Sequence, residues 1–142
     1  MDDYCSNIDQ QLLDAYRNTI YQVSDLSLQI KIGERNRALE KILKKHGVAS
    51  WAFISAWNPA SKPLPEQENA ARHQKLVAVA AANRWQYWEG RGIGADTSWQ
   101  PELSLLILGI SKATALELGQ QFGQNAIVFG ESRRAPELLL LR

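Results

Sequence analysis

The chain has 142 residues, 45% of them hydrophobic and 22% charged, and its 16 Lys and Arg against 15 Asp and Glu leave a net charge of +1. That length suits one domain, residues 1–142, with a real core, and the near-neutral balance gives no general attraction to nucleic acid or to an anionic membrane. Cys5 is the single cysteine, which excludes an intrachain disulfide and a multi-cysteine metal cluster and suits a reducing, cytoplasmic setting.

Ile8, Leu12, Leu13 and Tyr16 recur every three or four residues, so Ile8 to about Arg17 reads as a short amphipathic helix. Thr19 to Val23 is β-branched and aromatic, Ser24-Asp25 is turn-like, and Leu28, Ile30 and Ile32 alternate with polar residues. This is a hairpin, and with the helix it makes an N-terminal unit over residues 8–33. Ala38, Leu39, Ile42 and Leu43 then form the inner stripe of a helix from about Asn36 to His46, closed by Gly47. Its cations Arg37, Lys41, Lys44 and Lys45 are read as a solvated outer face favoured near a helix C-terminus.

The core, residues 36–130, turns on Trp51 to Trp57, an apolar run without alternation, as expected of a strand covered on both faces. Asn58-Pro59 and Ser61 make a turn, and a helix opens around Glu66 with Asn69, His73, Leu76, Val77 and Ala80 on one side. Trp85 to Trp88 reads as a short strand, Gly90 to Gln100 as a loop, and Leu103 to Leu108 as a second strand apolar on both faces. Ser111 is placed to cap a helix striped by Ala115, Leu118, Gly119 and Phe122. Gly123 ends it, Ala126 to Phe129 is a strand, and residues 137–141 add a tail strand.

From Trp51 the order is strand, helix, strand, strand, helix, strand. It predicts an α+β fold, an α/β sandwich whose mixed sheet has a ferredoxin-like βαββαβ core with an N-terminal helix and hairpin added. If the first core strand runs up, then Asn58, Ser61, Glu68, Asn69, the loop after Trp88, Glu102 and Gln124-Asn125 all fall at the upper end. The second sheet face also needs a cover, and the N-terminal helix is the expected one, which leaves a monomer. If that helix stays on its own hairpin, the bare face is a homodimer or partner surface.

Those same residues carry a resemblance. Trp51 to Pro59 with Ser61, Glu68-Asn69, Glu89-Gly90-Arg91-Gly92, Pro101-Glu102-x-Ser104 and Phe122 to Ile127 together resemble a family of small bacterial proteins known only as a domain of unknown function. The resemblance runs from about Leu13 to Gly130. It implies no reaction, and Pro65 departs from the capping serine expected in relatives.

Several chemistries can be weighed on the residues themselves. Gly90-Arg91-Gly92-Ile93-Gly94-Ala95 matches a loose dinucleotide fingerprint, but no helix follows to hold a pyrophosphate, so no cofactor is expected. His46 and His73 are the only histidines, and no metal site is expected. Glu89, Glu102 and Glu68 are the candidate catalytic carboxylates, paired to split acid and base roles, with Arg91 holding substrate charge. Their plainer roles are helix-start and ion-pair residues. Asn58, Ser61, Asn69, Arg91, Trp99, Gln124 and Asn125 are the candidate ligand-binding set, because amides donate and accept at once and an arginine reads an anion. Each amide also has a plainer role in bracing loops. Trp57, Trp88 and Trp99 are placed as walls of the same pocket. A module for a small polar or anionic ligand is the leading expectation, with an acid-base enzyme or an interaction domain as alternatives.

Overall fold

The computed structural model describes residues 10–95 and 100–141 as a mixed α+β fold of four helices and a seven-stranded sheet. In chain order these are α1 (Gln10–Arg17), β1 (Ile20–Val23), β2 (Leu28–Ile30), α2 (Arg37–Lys45), β3 (Ser50–Ser55), α3 (Glu66–Ala82), β4 (Gln86–Ile93), β5 (Glu102–Leu108), α4 (Lys112–Gln121), β6 (Ala126–Glu131) and β7 (Glu137–Leu140). Ile8 of the expected N-terminal stripe lies outside the described residues. Among the described residues no helix is long and apolar enough to cross a membrane.

The sheet order is β2-β1-β4-β5-β3-β6-β7, and every neighbouring pair is antiparallel. This corrects the expectation of a mixed sheet. β3 and β4 do run the same way, but β5 lies between them, so their common direction produces no parallel ladder.

β3 lacks alternation because both of its faces are filled. Ala52 and Ile54 lie with Leu105, Ile107, Ile127 and Phe129 against Leu76 and Ala80 of α3 and Ala115 and Leu118 of α4. Trp51 and Phe53 lie with Leu106, Leu108 and Val128 on the second face, against Leu39 and Leu43 of α2 and Val23, Leu28 and Ile30 of the hairpin. Full burial of one such Leu or Ile side chain contributes about 1.5–3 kcal/mol, so neither layer is dispensable. The lid of the second face is therefore α2, and the expectation that α1 covers the sheet is corrected. Because Ile20 pairs with Ile93 beside β4, α1 is left at the end of the sheet rather than across it, and none of its residues is fully buried.

Local chemistry sets the helix starts. The Asn36 side chain accepts from the Leu39 N–H at 2.9 Å, and Ser111 accepts from the Thr114 N–H at 3.2 Å, each cap worth about 1 kcal/mol. α3 has no such cap, since Pro65 precedes it, and its first turn carries Glu66 and Glu68 toward the positive end of the helix dipole.

The expected loop from Gly90 corrects to strand, because β4 runs on to Ile93 and pairs with both β1 and β5. Glycine is what permits it. A Cβ at Gly90 would sit 2.6 Å from Phe53 Cε2 and 2.7 Å from the Gln22 carbonyl oxygen, so any side chain there would push β1 off the sheet. With Gly90 to Ile93 extended in a ladder, the fingerprint glycines form no phosphate cradle.

Candidate functional site

The upper end of the sheet, where β3 finishes and α3, β5 and β6 begin, gathers most of the candidate residues. The turn after β3 is strained: Asn58, Ala60 and Ser61 all adopt positive φ, at 43°, 56° and 61°. Left-handed backbone costs a non-glycine residue about 1–2 kcal/mol, so something must hold it. Asn69, 2% exposed in the first turns of α3, is the clasp. Its Oδ1 accepts from the Asn58 N–H at 2.8 Å, while its Nδ2 donates to Asn58 Oδ1 at 2.7 Å. Asn58 Oδ1 also accepts from the Leu64 N–H at 3.0 Å, and the Ala60 N–H donates to the Gly123 carbonyl at 2.7 Å.

Asn58 also faces the other way, donating from Nδ2 to Glu102 Oε2 at 3.2 Å. Asn125, 6% exposed, donates to Ser61 Oγ at 3.0 Å, and the Tyr16 phenol of α1 is close enough to feel both side chains. Tyr21 donates its hydroxyl to the Tyr16 carbonyl at 2.9 Å, which fastens α1 over this end. Gln124 donates to the Trp57 and Phe122 carbonyls at 3.2 and 3.3 Å, so its role is to brace the loop. Arg72 of α3, overlooked in the sequence, donates from Nε to the Ala56 carbonyl at 2.8 Å and from Nη2 to the Phe122 carbonyl, tying β3 to the end of α4.

Strand register divides the carboxylates. Residues paired across strands share a face, so Glu89 opposite Leu105 and Arg91 opposite Leu103 lie on the α3 side. Glu102 opposite Gly92 lies on the other side, with Leu106 and Leu108. Glu89 and Glu102 are therefore not a pair, and Arg91 does not serve Glu102. Glu89 instead meets His73 Nε2 at 2.9 Å, with His73 1% exposed and its Nδ1 buried without a partner among the described residues. Glu68 is exposed on the first turn of α3 and joins neither carboxylate. Among the described residues no three His, Cys, Asp or Glu side chains come close enough to hold a metal.

Trp57 lies at the upper end, but Trp88 does not. It packs on the second-face core in mid-sheet with the His46 ring 5.6 Å away, which corrects its placement as a pocket wall. Trp99 falls outside the described residues.

Glu102 is the electrostatic centre of the end. Burial, against a smaller opposing effect of the Asn58 amide, holds its carboxyl above the usual carboxylate range. Burial likewise raises the Tyr16 and Tyr21 phenols, and the charge of Glu102 adds to both. None of the ion pairs among the described residues involves Glu102. An open depression of about 410 Å³ lies at the opposite end, lined by Lys112, Gly130, Glu131, Arg134, Ala135 and Glu137. Its charges pair with each other in exposed contacts, Lys112 with Glu137 at 3.3 Å and Arg134 with Glu131 at 3.9 Å, an arrangement of solvated surface.

Fold and site together define a small α+β domain with a braced polar cluster at one end of an antiparallel sheet. The chain belongs to the family described as "Protein of unknown function (DUF3293)", whose model matches residues 54–127. That span runs from β3 through the Asn58 turn, Asn69 and Glu102 to Asn125. No curated protein and no solved structure matches the chain.

Proposed function

We propose that this protein is a binding module for a small polar ligand, taken at the upper end of the sheet between α1 and Glu102. The observation that carries the reading is the state of Glu102. Its carboxyl is half-buried and raised by that burial, yet it receives only the neutral Asn58 amide among the described residues, beside the turn that Asn125 braces through Ser61. A buried charge without a counter-charge lowers stability, and such groups persist where function needs them. The strained turn beside it points the same way.

The order β4-β5-β3-β6 with α3 and α4 as crossovers supports a ferredoxin-like core. The α2 lid on the second face supports a monomer, and the single cysteine supports a cytoplasmic setting. Thermal shift of the full chain against a panel of metabolites tests the binding reading. Ligands that stabilise the wild type and lose that effect in Asn125→Ala are the expected result; equal stabilisation of the variant, or no stabilising ligand, counts against it.

Acid-base catalysis is the second reading, favoured by the same raised carboxyl, with Glu102 as the proton-transferring group and the Tyr16 phenol as its neighbour. NMR titration of the side-chain carboxyls checks it. A Glu102 that titrates with the exposed glutamates removes the basis for this chemistry.

A further inference from the structure

We infer that the ligand of this end carries a cationic amino or guanidino group that pairs with the Glu102 carboxylate. The inference rests on the binding site proposed above and specifies what it takes. Its basis is a census of donors and charges. An ionised carboxylate offers about four acceptor positions, and Asn58 Nδ2 fills one of them. The neighbouring donors are spent elsewhere: Asn69 Nδ2 on Asn58 and Leu64, Asn125 Nδ2 on Ser61, and Gln124 Nε2 on two carbonyls.

The nearby cations are spent or misplaced too. Arg72 is turned to the Ala56 and Phe122 carbonyls, and Arg91 lies across the sheet from Glu102. Arg17, next to Tyr16, and Lys62, next to Ser61, are exposed side chains at the surface, so an anion entering here would meet the half-buried carboxylate first. A cation would meet a half-buried carboxylate on the sheet face it shares with Tyr21, since both residues pair with Gly92, an acid-plus-aromatic setting that suits an ammonium or guanidinium group. Tyr16 belongs to α1, which takes no part in either apolar cluster of the described residues and whose Tyr16 carbonyl accepts from the Tyr21 hydroxyl, so a ligand group can displace the phenol without opening the core.

Calorimetric titration of the full chain with agmatine and putrescine, and separately with citrate and inorganic phosphate, tests the class. Binding of a cationic probe that weakens at least about tenfold in Glu102→Gln, a loss of ~1.4 kcal/mol, and is kept in Glu89→Gln, is the expected result. Binding of an anion that Glu102→Gln leaves unchanged or strengthens overturns the inference while leaving the site itself in place. Silence of all four probes alongside a stabilising neutral metabolite also overturns it, and silence of every compound overturns the site as well. Should Glu102→Gln fail to fold, the wild type supplies the same distinction. Affinity for agmatine, a permanent cation, falls as acid protonates Glu102, and a cationic probe indifferent to that titration refutes the pairing.

Discussion

The second face of the sheet is filled in two different ways along its length. Under α2, Trp51, Phe53, Leu106 and Leu108 meet Leu39 and Leu43 in a dry layer. Toward the upper end the same strands present Ser55, Ser104 and Glu102, and the helix at that end is α1, which buries no residue fully and whose Tyr16 carbonyl accepts from the Tyr21 hydroxyl. Apolar contacts bring a large and non-directional gain, whereas each hydrogen bond exchanges one with water for a net of about 0.5–1.5 kcal/mol. One half of the face is built for stability and the other for a small, reversible hold.

The sharpest break in that contrast is a pair of lesions, one to the α2 lid and one to α1 at the sheet end. Leu43 is fully buried, and Leu43→Ala should lower unfolding free energy by about 2–5 kcal/mol in denaturant titration. Removing residues 1–17 should cost less, and because α2 still covers the sheet, light scattering should find the same oligomeric state as the full chain. A truncated protein that gains partners would return the role of lid to α1.

A smaller effect probes the brace itself. Asn69→Ala leaves the Asn58 N–H without its acceptor in a half-buried turn, an expected loss of about 1–3 kcal/mol, and frees Asn58 to swing from Glu102. If the upper end were ordinary solvated loop, chemical denaturation would find Asn69→Ala nearly neutral.

What the sequence disclosed follows the same division. Trp51 to Trp57 announced a strand covered twice, because apolar periodicity records burial, and counting strand directions brought Asn58, Asn69, Glu102 and Asn125 to one end. Which face each carboxylate occupies depends on register, and register was hidden while Gly90 to Ile93 looked like a loop. A glycine in a strand and a glycine in a turn are spelled alike; only the approach of Phe53 and Gln22 distinguishes them. Tyr16 reads as apolar stripe because its spacing reports the ring and says nothing of the hydroxyl. Arg72 gave no signal, since a cation spent on two carbonyls has no partner motif to find.

The acid-base behaviour of Glu102 gives a third test. Its carboxyl is raised in the folded state, so the folded protein binds more protons than the unfolded chain between the ordinary carboxylate value and the raised one. Stability contributed by this group therefore falls as pH rises through that window, and its penalty is fully present above the folded value. Glu102→Gln should remove the penalty, making the variant at least as stable as the wild type at pH 7 and no better at pH 4 by thermal melting. A loss of stability at pH 7 would make Glu102 a structural group and weaken the case for a ligand.

The smallest expected effect concerns the strain in the turn. Ala60 sits at φ 56° with its N–H bonded to Gly123, and glycine can keep both features without the Cβ clash that makes this region costly. Relief of left-handed strain is worth about 1–2 kcal/mol, against about 0.4–1 kcal/mol for the greater freedom glycine gives the unfolded chain. The strain term wins, so Ala60→Gly should stabilise by about 0.5–1 kcal/mol, whereas Ala115→Gly, buried in α4, should destabilise by at least as much. Opposite signs for the same chemical change, read by denaturant titration, would separate an end of the molecule held under strain from a body packed for stability. If both variants lose stability, the turn is already at ease, and the strain beside Glu102 is no sign of function.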